Sequence, residues 1–453
     1  MTDPSEPEFP EHFVWGVATS AFQIEGAPNT NGKGASIWDD FCRIPGAIQD
    51  ASDGRVACDH YHRWASDLDL VAALGVDAYR FSVAWPRVQP MGSGAFNEQG
   101  FAFYERLVDG MVARGLKAHL TLNHWDLPSA LQVTGGWENH DTVARFVDYA
   151  SEVAHRLGDR VASICTHNEP WVIAVLGHEV GNFAPGIKSR AAAMQVAHHL
   201  LLSHGLALTA LRAQGCQSAL GIVLNMAPSH PATDSEADRA KARLDDGTGL
   251  RWYVDPLLKG AYPADVLAHL GADTPKVLPG DMAQINVPLD FIGINYYSRS
   301  VASAGEPWDV NSGGCQITDM GWEVYPLGLT ELLLRLHRDY ALPPVYITEN
   351  GAAFKDEVVA GQVHDAQRHT YIASHISAVA EAMRRGVRVN GYFVWSLLDN
   401  FEWASGYTKR FGIVRVDYDT QQRTCKDSAL WYRDFVHRQR SPRCGPVAVT
   451  AGN

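Results

Sequence analysis

Two glutamates follow candidate β-strands and could act together on one substrate. Glu169 lies in CTHNEPW directly before a proline, and Glu349 lies in PVYITENG directly before Asn-Gly. Proline disfavours helix for the residue before it and interrupts a sheet ladder, so Glu169 is expected where a strand stops. Taken singly, each glutamate could be an ordinary surface or turn residue. Together they suit glycoside hydrolysis, in which one carboxyl protonates the leaving group and the other attacks or activates water.

The segments around these glutamates alternate between helical and strand-like patterns. Residues 141–159 carry apolar side chains at helical spacing, with Asp141 as the expected N-cap, and the short apolar run RVASIC follows. Helices are also predicted over residues 63–74, 101–114, 191–213, 329–336 and 367–385. Each precedes an apolar segment, namely DAYRFSVAW, LKAHLTLNHW, SALGIVLNM, PVYITENG and VRVNGYFVWSLLDN. FVWGVATSAFQIEG and PLDFIGINYYS bring the number of candidate strands to eight.

Eight strands alternating with helices predict an α/β protein with a closed parallel sheet. The interpretation is a single (β/α)8 TIM barrel with long βα loops, in which residues 1–453 form one catalytic domain. Such a barrel needs about 250 residues, so the surplus is assigned to loops, notably residues 228–259 and 298–322. Short flexible termini are expected at roughly residues 1–8 and 442–453. A doubly wound open sheet is the alternative, but no Gly-x-Gly-x-x-Gly follows the first strand.

The C-terminal ends of the candidate strands carry polar and aromatic residues, and active sites of such barrels lie at these ends. They are Gln23, Arg80, His124, Trp125, Asn168, Glu169, Asn225, Asn295, Tyr297, Glu349, Asn350 and Trp395. This rim favours a polyhydroxylated ligand above an aromatic floor. A guanidinium at Arg80 would favour the charged form of Glu349, to which Tyr297 could also donate. The charge on Glu349 would then raise the pKa of Glu169, as an acid requires.

The composition of the chain argues against several classes of function. The chain has 453 residues, a net charge of -13 and no cationic cluster, which argues against nucleic-acid binding. The polar start and the absence of a long apolar run predict neither a secretory signal nor a membrane span. Seven scattered cysteines without a Cys-x-x-Cys pair favour a reducing, cytoplasmic setting over a disulfide or zinc framework. Oligomeric state is left open, with a homo-oligomer as one option.

Several segments together resemble glycoside hydrolase family 1, the retaining β-glucosidases and β-galactosidases of clan A. They are FPEHFVWGVATSAFQIEG, NHWDLP, THNEP, ITENG, WSLLDNFEWASGYTKRFGIVRVDY and DSALWYRDFV, so the likeness extends over almost the whole chain. The resemblance implies Glu169 as acid/base and Glu349 as nucleophile, without metal or cofactor. It implies exo-acting hydrolysis of terminal β-D-glucosyl residues, from cellobiose, short cello-oligosaccharides or aryl and alkyl β-glucosides. Carbohydrate metabolism and cellulose degradation would be the setting.

The resemblance also assigns the residues around the two glutamates. Asn168 matches the donor to the sugar 2-hydroxyl, Trp395 matches the platform under the ring, and Phe411 lines the same pocket. The remaining glycone positions correspond to Gln23, His124, Glu402 and Trp403. Arg80 and Tyr297 match the residues that hold the nucleophile, with Asn295 as a supporting residue. The leaving-group side is assigned to Trp125, Trp171, Leu176, His178, Asn225 and Trp322.

This chain departs from the common family pattern at one position and keeps an informative residue at another. His167 stands where an aromatic residue is more common, and strand alternation predicts that it faces away from the site. Glu402 is kept in NFEW, where a carboxylate would repel a phosphate, so an unphosphorylated glycone is favoured.

Other activities are weighed against this interpretation. β-Galactosidase, β-fucosidase and transglycosylase activities of the same family are alternatives. A non-catalytic sugar-binding module would be expected to lack one carboxylate. A metal-dependent hydrolase would need a His-x-His at the end of the first strand, whereas DHYHRW precedes a helix. A Schiff-base aldolase would need a lysine at a strand end, and Lys117 begins a strand.

Overall fold

The computed structural model describes residues 7–440, and a closed parallel barrel lies at their centre. Its eight strands are β1 (Val14–Ala18), β2 (Ala78–Ser82), β3 (Lys117–Asn123), β4 (Ser163–Asn168), β5 (Ala219–Asn225), β6 (Phe291–Asn295), β7 (Val345–Asn350) and β8 (Val389–Trp395). Each strand pairs in parallel with its neighbours in sequence, and β8 closes the ring on β1 through Val14–Gly391 to Ala18–Trp395. The predicted (β/α)8 fold is therefore confirmed and the open sheet is excluded.

Ten longer helices surround this sheet or extend its loops. They are α1 (His60–Ala73), α2 (Glu98–Ala113), α3 (Asp141–Leu157), α4 (Arg190–Ala213), α5 (Glu236–Asp246), α6 (Trp252–Lys259), α7 (Ala264–Leu270), α8 (Pro326–Asp339), α9 (Ala366–Arg384) and α10 (Asp427–Arg440). No helix of residues 7–440 has the length and apolar character needed to cross a bilayer.

Shorter elements lie mostly in the βα loops. The short α-helices are Ala21–Ile24, Ile37–Phe41, Trp85–Val88, Ser129–Gln132 and Asp281–Ile285. The 3-10 turns are Thr30–Gly32, Gly136–Glu138, Gly271–Asp273, Val310–Gly313 and Trp403–Ser405, and the π-helices are Val172–Val180 and Gly247–Arg251. Three two-stranded sheets pair Ser229–Pro231 with Ser300–Ala302, Val358–Val359 with Gln362–Val363, and Val414–Val416 with Arg423–Cys425.

Burial on both faces of the barrel explains why its strands are almost continuously apolar. In β2, Tyr79 and Phe81 belong to the large core between sheet and helices, while Arg80 projects into the barrel. The lower interior is filled by aromatic rings, including the edge-on contact of Phe291 with Tyr346. Apolar residues thus hold the sheet together, and polar residues are concentrated at the strand ends.

The helix predictions are confirmed, with shifts at their ends. Asp141 lies in the first turn of α3 rather than at the N-cap, and Asn139 Oδ1 accepts its backbone N–H at 3.0 Å. Residues 228–259, expected as loop, are largely helical through α5 and α6, and Ser235 stabilises the start of α5 by accepting from the Asp238 amide. The termini predicted to be flexible lie outside the described residues, apart from residues 7 and 8.

Candidate active site

A cavity of about 530 Å³ opens at the C-terminal ends of the strands. Among its lining residues are fourteen that the sequence predicted, namely His124, Trp125, Glu169, Trp171, Leu176, Asn225, Asn295, Tyr297, Trp322, Glu349, Trp395, Glu402, Trp403 and Phe411. Strand β4 brings Glu169 to this cavity and strand β7 brings Glu349. Two glutamates separated by 180 positions in sequence therefore face one enclosed space.

The surroundings of Glu349 suit an ionised carboxylate. Arg80 Nη1 donates to Glu349 Oε1 at 2.5 Å, and the Tyr297 hydroxyl donates to Oε2 at 2.6 Å. Arg80 is itself held by its second nitrogen, since Nη2 donates to Asn168 Oδ1 at 2.7 Å. Both carboxylate oxygens consequently have strong donors in a buried setting.

The surroundings of Glu169 differ, because no cation contacts its carboxyl group among the described residues. Asn295 Nδ2 donates to Glu169 Oε1 at 2.6 Å and to Asn168 Oδ1 at 3.0 Å. Asn295 is oriented in turn by Thr348, whose hydroxyl donates to Asn295 Oδ1 at 2.7 Å. The sequence treated Asn295 as a supporting residue, whereas the structure places it in direct contact with one of the two glutamates.

Because of these contacts, the two carboxyls lose their protons at different pH values. Burial, and next the charge of Glu349, raise the pKa of Glu169 to about 8. Burial also raises the pKa of Glu349, but the adjacent Arg80 charge and the Tyr297 hydrogen bond oppose this effect. Since only Glu349 has a cation in contact, we conclude that Glu349 ionises first and that Glu169 keeps its proton near neutral pH.

A second polar group lies on the other side of the cavity. Gln23 Nε2 donates to Glu402 Oε2 at 3.3 Å and to Asn400 Oδ1 at 3.0 Å. Burial and then the charge of Glu349 raise the pKa of Glu402 to about 8. His124 lies against Asn168, with His124 Nε2 at 3.2 Å from Asn168 Nδ2, and burial keeps its pKa far below the usual value. A neutral His124 can exchange hydrogen bonds with a hydroxylated ligand.

Aromatic rings form the floor and walls of the cavity. The ring of His124 is nearly parallel to that of Trp395, with centroids 5.8 Å apart, and to that of Trp403 at 6.0 Å. Trp125 packs on Trp403 at 4.5 Å, and Phe411 contacts the rings of Tyr297 and Trp322. Flat apolar surfaces of this kind stack on the C–H faces of sugar rings, while the polar groups contact their hydroxyls.

Three residues lining the cavity have left-handed backbone conformations, which are uncommon outside glycine. The φ angles are 75° at Trp125, 49° at Glu169 and 51° at Trp403. Each such conformation costs about 1–3 kcal/mol and persists only where the surrounding structure enforces it. At Glu169 the enforcing contacts include a hydrogen bond from its backbone N–H to the Val223 carbonyl at 2.9 Å.

The outer part of the cavity is formed mainly by segments after β4, β5 and β6. The π-helix Val172–Val180 and the residues around it contribute Trp171, Leu176 and Phe183, and Trp322 lies among the other lining residues. His178 does not line the cavity, contrary to the prediction; it is buried, and its Nδ1 lies 2.8 Å from the Ile173 carbonyl oxygen. The π-helix turns this side chain inward against its own backbone.

The remaining predicted residues lie directly behind the lining. Gln23, Arg80 and Asn168 are each at most 2% exposed and reach the cavity through hydrogen bonds to Glu402, Glu349 and His124, respectively. His167 faces away from the site as predicted, with Nε2 at 2.9 Å from the Ser203 hydroxyl and its ring stacked on Phe146. The histidines of DHYHRW belong to α1, where His60 pairs with Asp67 and His62 with Asp59.

Several lining residues were not predicted from sequence. Phe183, Met226, Ser229, Asp245, Thr248, Arg299 and Met320 all come from the loops and helices after β4, β5 and β6. These segments have no strand period that would indicate which side chains face the barrel mouth. The strand-end residues Asn168, Asn225 and Asn295 were the available signals in that region, and they mark only the points from which the loops depart.

Comparison with known proteins agrees with this geometry. The chain matches Glycosyl hydrolase family 1 over residues 5–441 and belongs to that family. It is 44% identical to β-glucosidase A of Acetivibrio thermocellus, over 95% of this chain and 99% of that protein. The crystal structure of the GH1 β-glucosidase from Exiguobacterium antarcticum B7 superposes with a TM-score of 0.92 at 43% identity, covering 96% of this chain and 99% of that one.

A ligand-bound structure is equally similar. The family 1 β-glucosidase from Thermotoga maritima in complex with isofagomine lactam has a TM-score of 0.92 and 42% identity, covering 96% of this chain and 99% of that one. The sequence-based identification of the chain as a family 1 glycosidase is therefore confirmed.

Proposed function

We propose that the protein is a retaining, exo-acting β-glucosidase. Its substrates would be compounds with a terminal non-reducing β-D-glucosyl residue, such as cellobiose, short cello-oligosaccharides and aryl or alkyl β-glucosides. The observation that carries the proposal is the difference between the partners of two buried glutamates: Arg80 and Tyr297 donate to Glu349, whereas among residues 7–440 only the Asn295 amide donates to the Glu169 carboxyl. The β-glucosidases at 43–46% identity support the glucosyl specificity.

In the first half of the reaction, Glu349 attacks the anomeric carbon while Glu169 protonates the departing oxygen. Asn168 would donate to the sugar 2-hydroxyl, a contact that strengthens in the transition state. Arg80 and Tyr297 keep Glu349 ionised and fix both of its oxygens, which leaves the carboxylate oriented toward the substrate.

In the second half, Glu169 changes from acid to base. The ester formed at Glu349 carries no charge, so the main electrostatic cause of the raised pKa of Glu169 disappears. Glu169, which has given its proton to the leaving group, therefore stays ionised and removes a proton from the attacking water, which releases the sugar with its original anomeric configuration.

The glycone side of the cavity would select an unphosphorylated sugar. Gln23, His124, Glu402 and Trp403 would hold the 3-, 4- and 6-hydroxyls above Trp395. Glu402 can exchange hydrogen bonds with a 6-hydroxyl, whereas a 6-phosphate would bring further negative charge beside the acidic groups of Glu402 and Glu349.

The substrate proposal is tested with 4-nitrophenyl glycosides that differ only in the sugar. We expect the highest kcat/KM on the β-D-glucoside, lower values on the β-D-galactoside and β-D-fucoside, and none on the β-D-glucoside 6-phosphate. Glu349→Gln is the control and should abolish turnover of all of them. A galactoside or fucoside preference would replace the glucosyl assignment, and a 6-phosphate preference would contradict the role of Glu402.

We further propose a reducing, cytoplasmic setting and a contribution to cellulose breakdown at the stage of soluble cello-oligosaccharides. The six cysteines of residues 7–440 are all free, which supports a reducing compartment. Cell fractionation followed by thiol alkylation would test the location, and recovery of activity with the extracellular fraction would contradict it.

A further inference from the structure

A network of buried charges lies beneath the loop that carries Glu402, Trp403 and Phe411. Its members are three cations and three carboxylates, namely Lys426, Arg368, Arg410, Asp356, Asp365 and Asp399. The side chains of Lys426, Arg368, Asp356 and Asp399 are each 0% exposed. Buried ion pairs lose much of their attraction to desolvation and often stabilise no better than apolar residues. A network of this size therefore calls for a role besides stability.

Lys426 connects the two halves of this network. Its ammonium group donates to Asp399 Oδ1 at 2.7 Å and to Asp356 Oδ2. The lysine lies between the strand Arg423–Cys425 and helix α10, so its backbone is fixed by regular structure on both sides. A donor at this position can restrain two loops relative to the barrel.

From Asp399 the contacts lead to the glycone side of the cavity. Asp399 Oδ1 accepts from the Gly412 amide at 3.0 Å, and the next residue, Asn400, accepts from Gln23 Nε2 at 3.0 Å. Gln23 Nε2 also donates to Glu402 Oε2 at 3.3 Å. Lys426 and Glu402 are thus linked through three intermediate residues, Asp399, Asn400 and Gln23.

From Asp356 the contacts lead to the segment that follows Glu349. Arg368 binds Asp356 through Nη1 at 2.9 Å and Nη2 at 3.1 Å, and its Nε donates to the Ala352 carbonyl at 3.2 Å. Arg368 Nη2 also donates to the Arg410 carbonyl at 2.7 Å, directly before Phe411. The segment after the nucleophile and the loop bearing Glu402 are therefore joined through one buried cluster.

We propose that Lys426 is a positioning residue that, through Asp399, Asn400 and Gln23, places Glu402 for contact with the 6-hydroxyl of the glycone. The inference rests on the proposed glucosidase function. Lys426 contacts no substrate. Its effect is on the discrimination between sugars that have and lack that hydroxyl, because misplacing Glu402 weakens only contacts that Glu402 makes.

The test compares kcat/KM for 4-nitrophenyl β-D-glucoside with kcat/KM for its 6-deoxy analogue. In Lys426→Met we expect the ratio of the two values to fall about tenfold, which corresponds to the loss of one hydrogen bond between Glu402 and the 6-hydroxyl. The value for the 6-deoxy substrate should change by less than about threefold. Lys426→Gln, whose amide can still donate to Asp399, should lie between wild type and Lys426→Met.

A double variant separates positioning from charge balance. Lys426→Met with Asp356→Asn restores equal numbers of positive and negative groups but supplies no donor to Asp399, so we expect the ratio to stay low. Recovery of the wild-type ratio would contradict the inference. His198→Met is the matched control, because it removes a buried side chain bonded to Tyr262 and Asp281, which do not line the cavity. It should leave the ratio unchanged.

Two further outcomes are decisive. An unchanged ratio in an active Lys426→Met would overturn the positioning role while leaving the glucosidase proposal intact. If neither Lys426 variant folded, the network would serve folding and the inference would be wrong. Wild-type protein inactive on both substrates would instead overturn the proposed function, and the inference with it.

Discussion

At the scale of single residues, three glutamates in one cavity differ in what surrounds their carboxyl groups. Glu349 contacts the Arg80 cation, Glu169 contacts the Asn295 amide, and Glu402 contacts the Gln23 amide. Among residues 7–440, Arg80 is the one cation in contact with these three carboxyls, and a single cation cannot balance three buried negative charges, so protons must remain on some of the carboxyls near neutral pH. The proposed division into an attacking carboxylate and a proton donor rests on these neighbours.

Removing the nucleophile gives the first prediction. Glu349→Gly should lower kcat on an aryl β-glucoside by at least about 10⁴-fold, because no covalent intermediate can form. Azide fits the vacated space and should restore turnover, giving the α-glucosyl azide. Glu169→Ala is the matched variant, and with azide it should give the β-glucosyl azide instead. The same azide anomer from both variants would contradict the assignment of the roles.

The second prediction concerns the alkaline limb of the pH profile of kcat/KM, which reports the acid in the free enzyme. We expect kcat/KM to decrease with a midpoint near pH 8, where Glu169 loses its proton. The Asn295 amide stabilises the ionised form of Glu169, so Asn295→Ala should raise this pKa by about 1 unit and move the limb upward. Asn225→Ala, on the neighbouring strand end, should leave the limb in place. A limb unmoved by Asn295→Ala would contradict this account of Glu169.

At the scale of elements, the adjacent ends of β7 and β8 hold Glu349 against the aromatic floor. Gly351 lies where a Cβ atom would come 1.6 Å from the Trp395 carbonyl oxygen. Side chains larger than hydrogen are therefore excluded between these two strand ends.

Gly351→Ala should move either Glu349 or Trp395 by about 1 Å, and such a shift typically costs about 100-fold in kcat/KM. Circular dichroism would check that the barrel remains folded. Gly305→Ala, whose Cβ would meet only Ser303 Oγ at 3.9 Å, is the control. A Gly351→Ala variant within about twofold of wild type would show that this contact does not position the site.

Most of the helices and strands, and part of the candidate site, could be predicted from the sequence. Parallel strands alternating with helices have strong periodic signals, and the C-terminal strand ends then identify Glu169 and Glu349 by position alone. Glu402 and Phe411 follow β8 in a segment with little regular structure, so they were found only through the family resemblance. His178 was misplaced because a π-helix sets its orientation, and a π-helix has no distinctive sequence pattern.

At the scale of the whole molecule, the raised pKa of Glu169 predicts lower stability at alkaline pH. We propose that the chain unfolds as one catalytic domain, so the titration of Glu169 affects the total free energy of unfolding. Its pKa is about 8 when folded against an ordinary value of 4.5, so the folded state binds the proton more tightly. The proton held by Glu169 therefore contributes to the free energy of unfolding. This contribution is complete below pH 4.5 and is lost as pH rises through 8.

Glu169→Gln should remove that dependence, because an amide is neutral at every pH. At about pH 9 we expect a gain on the order of 2 kcal/mol, seen as a Tm higher by a few degrees, and at about pH 4 no gain. Glu236→Gln, at an exposed position of α5, is the control for a simple change of net charge. An equal gain at both pH values would contradict the linkage.

The measurement that tests the central claim most directly is a proton NMR time course of aryl β-glucoside hydrolysis by the wild-type protein. The account predicts that β-glucose appears first and drifts slowly to the equilibrium mixture, because two displacements at Glu349 restore the starting configuration. First appearance of α-glucose would show a single displacement by water and would contradict the covalent role of Glu349.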